Sequence, residues 1–121
     1  MRHAALALGV LAASPALAES FACSWRSECF GSYGCEDTSY DTTLASGDGG
    51  WTFSGVAGDA AVWEVTPPGD APARLFLVPP GGDDASATLL SIGDDGSSAF
   101  TQHGSLDGVS VVTYFGTCEA R

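Results

Sequence analysis

From Glu19 onward the chain never sustains an apolar stripe at helical spacing. Its large residues come in runs of four to seven, each cut off by glycine, aspartate or proline. Phe21 to Trp25 alternates large and small side chains, and Tyr40, Thr42 and Leu44 keep the same two-residue rhythm. Further runs follow at Trp51–Ser54, Ala60–Val65, Arg74–Val78, Thr88–Ile92, Ser98–Gln102 and Val109–Phe115. The breaks between them are turn-forming: Gly47-Asp48-Gly49-Gly50, Gly58-Asp59, Pro67-Pro68-Gly69-Asp70 and Pro79-Pro80-Gly81-Gly82. Eight short strands at near-even spacing, with no residues left for crossover helices, predict an all-β antiparallel meander, closed as a small barrel or folded as a sandwich.

The segment before Glu19 reads differently. Arg2 and His3 make a short basic start, Ala4 to Ala13 is apolar except for Gly9, and Ser14-Pro15 precedes Ala16-Leu17-Ala18, a small-x-small cleavage pattern. The run is too short to cross a bilayer. Residues 1–18 are therefore expected to be a removed signal peptide and residues 19–121 a single β domain, leaving 103 of the 121 residues. Glu19 rather than a cysteine follows the site, so no lipid anchor is expected, and the mature protein should be periplasmic or secreted.

An exported chain with four cysteines is expected to oxidise them in pairs. Cys23, Cys29 and Cys35 are evenly spaced, with Cys118 near the far end. Such spacing does not suit structural zinc, and three pairings are open. The preferred one is Cys23–Cys118 with Cys29–Cys35, because the first and last strands of a closed meander are neighbours.

Charge limits the partners. Loss of Arg2 takes the net charge from −11 to −12; no lysine is present, and Arg26, Arg74 and Arg121 are the only other arginines. Nucleic acid and anionic membrane surfaces are disfavoured, and a basic protein would be attracted. Chemistry-bearing residues are few. His103 is the sole histidine after residue 18, and Ser105 and Asp107 lie too close along a strand end to form a triad with it. Gly82-Asp83-Asp84 and Gly93-Asp94-Asp95 invite a calcium reading, but they match no calcium-loop spacing and suit tight turns. The pairs Glu36-Asp37, Asp83-Asp84 and Asp94-Asp95 are placed in turns, and Glu64 is expected to face outward, opposite Trp63. Trp25, Trp51 and Trp63, with Tyr33, Tyr40 and Tyr114, are read as core, with an aromatic ligand surface as the alternative.

The early strand bearing Cys23, a cysteine-rich loop closed by Cys29 and Cys35, and the terminal Thr113-Tyr114-Phe115-Gly116-Thr117-Cys118-Glu119 resemble small exported, disulfide-bonded β proteins of Gram-negative bacteria. More loosely, the layout is similar to the periplasmic inhibitors of C-type lysozyme. That resemblance implies an eight-stranded disulfide-linked barrel. It does not carry over the inhibitory residues, since no lysine is present and Arg74 is in no copy of that motif. The resulting expectation is a monomeric, non-catalytic binding protein or inhibitor without metal or cofactor, its partner a basic envelope protein such as lysozyme. A small-ligand carrier or hydrolytic enzyme with an aromatic-lined cavity is the alternative.

Overall fold

The computed structural model describes residues 19–79, 86–105 and 108–121. Residues 1–18, expected from the sequence to be a signal peptide, Gly82-Asp83-Asp84 and Asp107 lie outside them. Eight strands follow one another: β1 (Ser20–Phe30), β2 (Cys35–Gly47), β3 (Gly50–Gly55), β4 (Gly58–Glu64), β5 (Ala73–Val78), β6 (Ser86–Gly93), β7 (Ser97–Gly104) and β8 (Ser110–Ala120). Each pairs antiparallel with the next, and β8 returns to β1 to close a barrel. Closure rather than a sandwich joins the first strand to the last, and the ladder is thinnest between β4 and β5, which pair only at Trp63–Leu77 and Glu64–Phe76.

Two disulfides staple this sheet. Cys23 and Cys118 face each other across the β1–β8 seam, and Cys29 and Cys35 across the β1–β2 hairpin. No described cysteine is free. Disulfides of this kind belong to an oxidising, extracytoplasmic environment.

The cysteine-rich segment is not a loop. β1 and β2 remain paired out to Cys29–Cys35, and the turn between them is confined to residues 31–34, where Gly31 and Gly34 take positive φ. Glu36 and Asp37 therefore lie on a strand, not in a turn. Midway along β1 the register slips between Trp25 and Ser27 in both neighbouring ladders, which marks a bulge at Arg26. Opposite Trp25 stands Gly116, and a Cβ there would fall 1.9 Å from the Ser24 carbonyl oxygen. Only glycine allows β8 to lie this close to the bulged strand.

Alternation then decides which side chains enter the lumen. Cys23, Trp25, Leu44, Val62, Phe76, Leu90, Ile92, Phe100 and Cys118 form the buried core. The Trp25 indole N–H donates to Thr42 Oγ1 at 2.9 Å, so the one polar atom of the central ring is satisfied. Trp63 and Tyr33 do not join them: they are 61% and 93% exposed. Trp63 pairs with Leu77 on the outer face, whereas Glu64 pairs with buried Phe76 on the lumen face. The expected opposition of Trp63 and Glu64 holds, but the two faces are exchanged. Val62, deep in the core, sets the parity of β4, and Glu64 follows it inward at the barrel end.

Candidate functional site

The two ends of the lumen differ. The end near Glu19 and Arg121 is plugged by Arg74, which enters beside Ile92 on the inner face of β5 and β6. Its guanidinium lies 5.5, 5.2 and 5.5 Å from the ring centres of Phe21, Trp51 and Phe76. Nε and Nη2 each donate to Glu64 at 2.9 Å, and Nη1 donates to Glu19. The Arg74 hydrogen bond holds the Glu64 carboxyl below its usual range, against the opposing effect of burial. Thr66 also donates to Glu64 at 2.8 Å, locking the carboxylate in place. Here the chain supplies both an aromatic cage and the cation that fills it.

The opposite end is open. It carries the β1–β2 and β3–β4 turns and holds a cavity of about 830 Å³. Phe100 forms its floor, with Trp25 edge-on beneath it at 4.6 Å between ring centres. Tyr114 stacks on Phe100 at 4.4 Å, Phe53 meets Phe100 edge-on at 6.0 Å, and Tyr40 lies 5.9 Å from Tyr114. Thr88 and Gln102 add polar groups to the wall, and Gln102 Nε2 donates to Ser86 Oγ at 3.1 Å. Concave, largely apolar surroundings with a few convergent polar groups are the usual form of a small-molecule site.

Glu28 is placed there by the bulge. Strict alternation from Cys23 and Trp25 would send Glu28 outward; the extra residue at Arg26 reverses the parity and sets it opposite Tyr114. The Tyr114 hydroxyl donates to Glu28 Oε1 at 2.8 Å. Burial first, and then this carboxylate, push the phenol up to about 12, so it remains a neutral donor at ordinary pH. Glu28 Oε2 makes no further hydrogen bond among the described residues, which leaves it able to accept from a guest.

Of the residues singled out in the sequence, Tyr40 and Tyr114 come together at this mouth, Trp25 lies beneath it, and Trp51 serves the opposite plug. Trp63 and Tyr33 belong to neither. His103 is exposed on β7, paired with Val111 and Ala87 and outside the cavity. Asp95 accepts from the Ser97 backbone N–H at 2.9 Å in the β6–β7 turn, which is the turn chemistry expected of Gly93-Asp94-Asp95. Glu28, Phe53, Phe100 and Gln102 were not singled out. The last three share the inward parity of their strands and could have been found by it, whereas Glu28 depends on a bulge that alternation does not announce. No protein-family description, curated protein or solved structure matches this chain.

Proposed function

We propose that this chain is an exported, non-catalytic binding protein whose ligand enters the open end of the barrel. The observation that carries the reading is the cavity of about 830 Å³, floored by aromatic rings and left unfilled by the side chains of the described residues. A lumen packed along its whole length would instead have left only the outer surface for binding. The groups at the mouth suit holding rather than turnover. Tyr114 keeps its proton, Glu28 is engaged as its acceptor, and His103 is elsewhere. Ala60 lines the mouth on β4, and Ala60→Trp would place an indole where a guest must sit. Calorimetric titration of phenyl-bearing amphiphiles should give saturable binding to the natural chain and none to Ala60→Trp. Equal binding to both would contradict the reading.

Export to the periplasm or the medium belongs to the same proposal, supported by the Ala16-Leu17-Ala18 pattern and the disulfides. N-terminal sequencing of the protein from cells should begin at Glu19, and Met1 on the abundant species would contradict it. A second reading, a basic protein partner such as lysozyme, is favoured by the charge of −12 that follows loss of Arg2. Calorimetry against lysozyme should then show a contact that weakens with salt. Absence of binding at low salt would remove this reading.

A further inference from the structure

The two ends of the barrel are built from the same parts. At the plugged end, three rings and two carboxylates surround the Arg74 guanidinium. At the open end, Tyr40, Phe53, Phe100 and Tyr114 surround a space into which Glu28 presents a carboxylate. Among the described residues, no basic side chain lines that space. Of the arginines of residues 19–121, Arg74 is committed to the plug, Arg26 is held at the outer rim by donating to Ser39 Oγ at 3.2 Å, and Arg26 and Arg121 border a separate shallow depression shared with Asp41 and Ser54.

A ring face carries partial negative charge, and a half-buried carboxylate adds a full one. Among the described residues, no cationic side chain lines the mouth to balance them. We infer that the ligand of the open end is an organic ammonium ion, its charged nitrogen set between Glu28 and the tyrosine faces and its apolar portion on Phe100 and Phe53. This rests on the mouth being the binding site and names the chemistry of the guest. An anion would meet Glu28 and the negative ring faces together. A neutral amphiphile would gain the apolar floor but leave the charge of Glu28 unbalanced, whereas an ammonium head offsets it.

A charge series on the natural chain tests this without any substitution. Phenyltrimethylammonium, its uncharged isostere tert-butylbenzene and the anion benzenesulfonate are titrated separately, following the ring resonances of Tyr40, Phe53, Phe100 and Tyr114. The cation should shift these signals and bind at least about tenfold more tightly than the isostere, the size expected of a partly desolvated cation–aromatic contact. The anion should not bind. Glu28→Gln keeps an oxygen to accept from Tyr114 and removes the charge. It should weaken the cation about tenfold and leave tert-butylbenzene unchanged. Equal or tighter binding of tert-butylbenzene at these rings would overturn the ammonium assignment while leaving the mouth as the site. No shift at the rings with any of the three would overturn both.

Discussion

Gly116 is the residue on which barrel closure turns most sharply. Its place opposite the Trp25 bulge brings β8 against the β1 backbone, where a methyl group would sit 1.9 Å from the Ser24 oxygen and 2.9 Å from the Trp25 Cα. Neither obstacle is a flexible side chain, so the seam itself must shift. Gly116→Ala should destabilise the fold by on the order of 2–3 kcal/mol, measured by denaturant unfolding; a loss within experimental error would contradict the seam geometry. Tyr114 offers a second test at this scale. Its phenol, ordinarily near 10, is raised to about 12, so the folded state holds its proton more firmly than the unfolded chain. The stabilisation is complete below pH 10 and is lost as the pH climbs through about 12. A titration of the Tyr114 ring-carbon resonance should show that late transition, and ionisation near pH 10 would contradict the buried pairing with Glu28. What the chain disclosed at this level followed parity. Thr42, Leu44 and Tyr40 point inward as their spacing requires, whereas Glu28 was hidden because a bulge is set by backbone contacts across two ladders rather than by local composition.

Among the elements, β1, β2 and β8 are the long ones, at 11, 13 and 11 residues, and both disulfides join them. The remaining strands run 6 to 8 residues and were legible as short apolar runs. The extension of the β1–β2 hairpin through the cysteines was not legible, because Glu36, Asp37 and the flanking glycines have turn-like composition. Pairing across the β1–β2 hairpin and the Cys29–Cys35 link hold them extended instead. The Cys23–Cys118 link spans a separation of 95 residues. In the chain-entropy account such a link contributes on the order of 4–5 kcal/mol, and the short one about 2 kcal/mol. Replacing Cys23 and Cys118 together by serine should therefore lower stability more than replacing Cys29 and Cys35. Equal or reversed losses in thermal unfolding would contradict the seam as the dominant staple. β5 carries the plug: Arg74→Met keeps the apolar stem but strands Glu19 and Glu64 beside each other. With Arg74 about a third exposed, solvent screening limits the cost to about 1–2 kcal/mol in denaturant unfolding. No loss would contradict the cage.

For the whole molecule, the account is of one barrel with a sealed end and an open one. The spacing of the runs made the eight-stranded meander readable and the charge made its acidity plain, yet neither the choice of barrel over sandwich nor the division of the lumen was. It depends on which inward positions hold long side chains at each end, and on the exchange of faces that sends Trp63 out and Glu64 in. That exchange also leaves the outer face of β4 to β6 with Trp63 and Leu89 exposed beside Leu77, an apolar strip that competes with the mouth as a place for a greasy guest. Intermolecular nuclear Overhauser contacts from bound phenyltrimethylammonium separate the two directly. Contacts to the rings of Tyr40, Phe53, Phe100 and Tyr114, with none to Trp63, are the predicted result. Contacts to Trp63 and Leu89 in their place would contradict the mouth as the site.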